Sequence, residues 1–109
     1  MNKIFETYIK TINEANLIKL DDPVNGISYL EIDTSKKVIG VKTDNWSNSE
    51  IKAFIKDQDD DRFWDNLDKA ISGKLKIKQW GDVIDGSRRT HYIPAIFEPG
   101  EFDFLVTYD

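Results

Sequence analysis

The chain has 109 residues, no cysteine and a formal net charge of −5, and 39% of its residues are hydrophobic. This length predicts one globular domain over residues 1–109, without room for a second. The lack of cysteine excludes a disulfide scaffold, a thiolate metal site and a cysteine nucleophile. A protein of a reducing compartment, most simply the cytoplasm, is expected.

The N-terminal segment has apolar residues at intervals of three and four, which predicts an amphipathic helix over residues 2–16. Glu6, Lys10 and Glu14 interrupt this segment. We therefore expect no signal peptide, and no segment of the chain approaches the ~20 apolar residues that cross a membrane. An Asp-Asp-Pro sequence at residues 21–23 and an Asn-Gly pair at residues 25–26 then predict a loop.

Two segments rich in β-branched residues, 27–33 and 38–43, predict a hairpin with its turn at residues 34–37. Ser47 and Glu50 have capping-box spacing and predict the start of a helix. If residues 48–72 formed one helix, its apolar residues would lie on different sides before and after residues 57–61. Aspartates are also unfavourable at a helix C-terminus. These observations predict two helices, about 48–57 and 60–72, with an aspartate capping the second and Gly73 ending it.

The remaining residues are predicted to form strands over residues 74–80, 89–97 and 102–108, with turns at 85–86 and 98–101. Side chains alternate between the two faces of a strand, so the strand predicted over residues 102–108 should direct Phe102 and Phe104 towards the main core and Leu105 outward. The element order is α-β-β-α-α-β-β-β. It predicts an α+β fold with a mainly antiparallel sheet of about five strands and helices packed on one face.

The acidic segment, residues 57–68, contains six aspartates and one arginine, so its net charge of −5 equals that of the whole chain. Its carboxylates have the spacing of a calcium loop, but Arg62 replaces the required glycine and Asp68 replaces the bidentate glutamate. We therefore predict no metal site. Helix capping uses one or two aspartates, and a solvated acidic face with Trp64 in the core is the simplest alternative.

The surplus charge, together with an aromatic residue, predicts a surface that binds a basic protein. The predicted contact residues are Asp57, Asp59, Asp60, Asp61, Trp64, Asp65 and Asp68.

A basic stretch follows, because residues 69–97 carry six Lys or Arg and two Asp. Its lysines alternate with apolar residues and precede Trp80, a pattern that could contact phosphate and base. A solvent-facing or edge-protecting strand is the favoured interpretation, since the acidic total disfavours nucleic-acid binding.

One candidate catalytic group consists of Arg88, Arg89 and His91, which could supply a general base and an anion-binding site. The sequence has no nucleophile elbow, second histidine or phosphate-binding glycine loop. No catalytic residue and no cofactor is therefore predicted.

These features rank three functions. The first is a small, acidic, non-enzymatic binding protein that occludes a basic partner, such as an immunity protein neutralising a toxin or nuclease, or a similar small inhibitor. The second is a small enzyme that uses Arg88, Arg89 and His91. The third is a structural or assembly subunit that binds through an open face of its sheet.

Overall fold

The computed structural model describes residues 17–24, 26–58, 61–88 and 97–109, which form an α+β fold. The elements are β1 (Leu17–Val24), β2 (Ile27–Asp33), β3 (Val38–Thr43), α1 (Asn48–Asp57), α2 (Asp61–Ile71), β4 (Trp80–Asp85) and β5 (Phe104–Tyr108). These five strands form an antiparallel sheet in the order β1-β2-β3-β5-β4. The helix predicted over residues 2–16 lies outside the described residues, as does the strand predicted over 89–97 except for Phe97.

The hairpin of β2 and β3 confirms the prediction from β-branched residues. Leu30 pairs with Val41 and Ile32 pairs with Ile39 in its register. Asp33 ends β2, and its Oδ1 accepts hydrogen bonds from the backbone N–H groups of residues 35 and 36, both at 3.0 Å. These bonds close the turn, because a short carboxylate side chain can reach backbone donors two and three residues ahead.

Strand β1 corrects the loop predicted for residues 21–26. Ile18 and Leu20 of this strand pack against the main core, and the register of β1 against β2 shifts between Asp21 and Val24. β1 is the outermost of the strands that the structure describes, and an outer strand tolerates the missing N–H of Pro23. The Asp-Pro sequence therefore marks an irregular strand end, and Gly26 lies in a turn just before β2.

The two helices confirm the predicted break. Ser47 Oγ accepts from Glu50 N at 3.2 Å and Glu50 Oε1 accepts from Ser47 N at 3.4 Å, which completes the capping box of α1. α1 ends at Asp57, and Gln58 follows in the left-handed conformation with φ of 53°. α2 starts at Asp61 and is followed by Gly73 with φ of 79°. Residues 59 and 60, which precede α2, lie outside the described residues, so the aspartate cap stays a prediction.

The left-handed conformation of Gln58 gives a test of this break. Gln58→Gly should be more stable than Gln58→Ala by about 1 kcal/mol, because only the alanine keeps a Cβ in a left-handed residue. Both variants lose the side-chain hydrogen bond to Ile55 O, which spans 3.3 Å. The difference between them therefore measures the free-energy cost of the left-handed backbone conformation at residue 58. Urea denaturation measures the difference, and equal stabilities would show that the break is not strained.

The main core lies between the helices and one face of the sheet. α1 contacts β4 and α2 contacts β1. Phe104 is fully buried at the centre, and its ring centroid lies 5.3 Å from that of Phe54 and 5.4 Å from that of Phe63. Aromatic pairs at these separations bury large areas and prefer the edge-to-face geometry seen here.

The opposite face of the sheet has a second hydrophobic cluster, which corrects two predictions. Phe102 precedes β5 and does not face the main core, since its ring stacks on Tyr29 at 6.1 Å and packs against Phe97 at 4.9 Å. Leu105 faces away from the main core as predicted, but it is only 5% exposed because it packs in this cluster, so the face predicted to be open is covered there. Gly40 makes room for the Phe102 ring, because an added Cβ would lie 2.6 Å from it. This face is therefore less open than the sequence suggested.

The strand predicted over residues 74–80 is also wrong in position, since β4 begins only at Trp80. Leu75 and Ile77 nevertheless pack against the main core while the neighbouring lysines are exposed, so the predicted alternation holds. Val83 and Ile84 pair with Val106 and Leu105. Val83 packs in the main core and Ile84 packs in the cluster on the opposite face, so this strand buries side chains on both faces of the sheet.

Candidate functional site

The exposed side chains of Asp61, Asp65 and Asp68 on α2 form an acidic face. At ~100° per residue these three positions fall within about 60° of one another around the helix. The opposing, buried side of α2 is formed by Phe63, Leu67 and Ile71. Burial of these apolar residues against the sheet therefore directs the three carboxylates to solvent.

Trp64 lies at the boundary between the acidic face and the core. Along α2 it follows Asp61 by three residues and precedes Asp68 by four, which places it beside both. The ring is partly buried, with its centroid 5.4 Å from that of Phe63, and its indole N–H donates to Gln58 O at 3.4 Å. Most of Trp64 thus belongs to the core, and its remaining exposed part adjoins the carboxylates.

Trp80 is the member of this site that sequence reasoning missed. Its indole N–H donates to Asp68 Oδ1 at 3.1 Å, and its ring centroid lies 5.4 Å from that of Trp64. Trp80 is also partly buried. Trp64 and Trp80, called the indole pair below, meet only because β4 returns to α2, and no local sequence pattern encodes that contact.

The other predicted contact residues are less central. Asp57 is exposed at the last residue of α1, whereas Asp59 and Asp60 lie outside the described residues. Asp61 begins a helix, so the segment that follows does not have the loop geometry of a calcium site. The described part of the chain contains no group of three or more residues that could hold a metal ion.

Lysines border the acidic face on one side. An open groove of about 500 Å³ lies between the end of α2 and the segment leading to β4. Asp68 lines this groove together with Lys74 and Lys76, while Ile71, Leu75 and Ile77 form its apolar part. Arg62 and Lys69 are also exposed on α2, three residues before and four after Asp65, so positive charge borders the acidic face on the helix as well.

The candidate catalytic group is only partly described, since Arg89 and His91 lie outside the described residues. Arg88 is exposed, and its backbone N–H donates to Asp85 O at 3.1 Å. The Asp85 carboxylate accepts hydrogen bonds from Ser87 N at 2.9 Å and Ser87 Oγ at 2.7 Å. The backbone N–H of Ser87, followed by its hydroxyl, holds the pKa of Asp85 below its ordinary value. These bonds give Asp85 a structural role in the turn.

No protein-family model, curated protein or solved structure matches this chain. Among the residues that the structure describes, no helix is long and apolar enough to cross a membrane.

Proposed function

We propose that this protein is a non-enzymatic binding protein that occludes a basic protein partner, as an immunity protein occludes a toxin or nuclease. The supporting observation is the acidic face itself, with Asp61, Asp65 and Asp68 exposed on one side of α2 beside the partly exposed indole pair. Carboxylates around aromatic side chains combine long-range attraction with a desolvated contact area. The lack of cysteine fits action in the cytoplasm.

In this proposal the carboxylates and the aromatic rings have different roles. Exposed charges raise the association rate by attracting the partner, and salt weakens this attraction once charges are separated by more than ~10 Å at 0.1 M ionic strength. The partly buried rings of Trp64 and Trp80 are held by their neighbours and lose little side-chain entropy on binding, so they contribute mainly to the lifetime of the complex.

The decisive experiment captures the partner from the native host and measures its association rate with variants of the acidic face. Asp61→Asn combined with Asp65→Asn should slow association about threefold to tenfold at low salt, and less than about twofold at 0.5 M salt. Asp68 is left intact because it accepts the hydrogen bond from Trp80.

A matched control removes the same charge elsewhere. Asp21 in β1 and Asp44 after β3 are exposed and lie outside α2 and β4, so Asp21→Asn combined with Asp44→Asn changes the net charge equally. This control should associate at nearly the wild-type rate. Equal slowing of both pairs would mean that net charge alone acts, and no slowing of either would exclude the acidic face as the interface.

A further inference from the structure

We propose that the turn after β4 is a latent modification site, in which hydrogen bonds to Gly86 and from Ser87 keep the Asp85–Gly86 linkage from rearranging to isoaspartate. This is the only Asp-Gly pair in the sequence. Glycine has no side chain to hinder attack by its backbone nitrogen on the preceding carboxyl group, so such pairs rearrange readily where the chain is free to move. This property of the turn is independent of the proposed function.

The rearrangement needs only water as a co-reactant. The Gly86 nitrogen loses its proton and bonds to Cγ of Asp85, and the carboxyl hydroxyl leaves with a proton as water, which closes a succinimide ring. A water molecule then adds to the main-chain carbonyl carbon of Asp85 and breaks its bond to the Gly86 nitrogen. The main chain now passes through Cβ and Cγ and is one atom longer. The pairing of Asp85 with Phe104 in the ladder of β4 and β5 would then lose its register.

The Gly86 peptide group, which supplies the attacking nitrogen, is held on both sides. Its N–H donates to Asp103 O at 3.0 Å, and its carbonyl oxygen accepts from Gly100 N at 2.7 Å. Gly86 is buried, and an added Cβ would collide with the Phe102 backbone oxygen. While these contacts last, the nitrogen has no room to turn towards the Asp85 side chain, and its proton is already used in a hydrogen bond.

The Asp85 carboxyl group, which the nitrogen must attack, is fixed by Ser87. Oδ1 accepts from Ser87 N at 2.9 Å and from Ser87 Oγ at 2.7 Å. The main-chain oxygen of Asp85 also accepts, from Arg88 N at 3.1 Å. The bonds from Ser87 hold the pKa of Asp85 below its ordinary value, so the neutral acid, whose hydroxyl can leave as water, is scarcer than in the unfolded chain. Ring closure therefore requires local opening of the turn.

The test compares isoaspartate formation in the folded protein with that in the same protein unfolded in guanidinium chloride, at one temperature and the same mildly acidic pH. Peptide mapping with electron-transfer fragmentation distinguishes isoaspartate from aspartate and locates it, so any formed at the Asn25–Gly26 pair is counted separately. Rearrangement at Asp85 should be at least about tenfold slower in the folded protein, because it requires an open state of low population.

A pair of serine variants separates the turn from general stability. Ser87→Ala removes the hydroxyl bond to Asp85 and should raise the rate in the folded protein about threefold or more, since hydrogen bonds to charged groups are among the stronger ones. Ser47→Ala is the matched control, because the same chemical change removes the hydrogen bond at the start of α1. It should leave the Asp85 rate within about twofold of wild type, because local opening does not involve that helix. In guanidinium chloride the wild type and both variants should react equally, which would show that Ser87 acts through the folded turn.

Equal rates in the folded and the unfolded protein would overturn the protective role of the turn. A Ser87→Ala rate equal to that of wild type would also overturn it, because the bonds to the carboxylate would then not limit the reaction. An equal rise in Ser87→Ala and Ser47→Ala would do the same, since rearrangement would then proceed through global unfolding. None of these results depends on a partner, so the proposed function is tested separately by the association rates.

Discussion

Phe104→Ala should lower the free energy of unfolding by about 4 kcal/mol, a large part of the roughly 5–15 kcal/mol that stabilises a typical domain. Phe104 is fully buried, and its ring centroid lies 5.7 Å from that of Trp46, 5.3 Å from that of Phe54 and 5.4 Å from that of Phe63. Its removal leaves a cavity where β5 meets both helices. Urea denaturation followed by tryptophan fluorescence measures the loss.

Phe104→Leu is the matched control, because it keeps most of the apolar volume and removes only the ring contacts. Phe104→Leu should lower the free energy of unfolding by less than half as much as Phe104→Ala does. A Phe104→Ala loss of under about 1 kcal/mol would mean that the core closes around the missing ring, against the rigid packing expected of an interior. Such a result would weaken the view that β5 anchors both helices.

Local patterns were sufficient to predict the central hairpin and the helix break. The turn after Asp33 and the capping box of α1 each depend on residues within a few positions of one another. The change in direction of the apolar side across residues 57–61 likewise follows from helical geometry alone. These features could be predicted because their stabilising contacts are short-range in sequence.

The wrong predictions for β1 and Phe102 both arise from contacts between segments that are distant in sequence. β1 appeared to be a loop because Pro23 and the Asp-Asp pair suggest a turn, whereas an outer strand accommodates them. Phe102 follows the alternation of β5 in sequence but leaves it in space, because Gly40 provides room for its ring on the other face. A single chain cannot reveal which glycine a distant aromatic ring will cover.

In the candidate site, too, features that depend on neighbouring residues could be predicted, whereas a contact between distant segments could not. The run of aspartates and Trp64 could be identified from composition and spacing, and α2 brings Asp61, Asp65 and Asp68 onto one side. Trp80 could not be assigned to this site. Its hydrogen bond to Asp68 depends on the path of the chain after Gly73 and on the pairing of β4 with β5. The charge of the surface was therefore predictable, and its aromatic part was not.

Gly86→Ala should lower the free energy of unfolding by about 3 kcal/mol, because its Cβ would overlap the backbone carbonyl oxygen of Phe102. That carbonyl has little freedom to move. Gly86 N donates to Asp103 O at 3.0 Å, and Asp103 N donates to Val41 O at 2.9 Å. Relief of the overlap must therefore disturb the contacts that place Phe102 over the second face of the sheet. Chemical denaturation measures the effect.

Gly73→Ala is the control that separates collision from backbone conformation. Gly73 has φ of 79° and nothing within 4 Å of an added Cβ, so alanine there should cost about 1 kcal/mol through strain alone. Gly86 does not have a positive φ, so its larger expected loss arises from the approach of the Phe102 backbone. A Gly86→Ala variant no less stable than Gly73→Ala would contradict this close approach. It would also remove the reason for expecting Phe102 to be fixed against Tyr29, because the same backbone segment positions that ring.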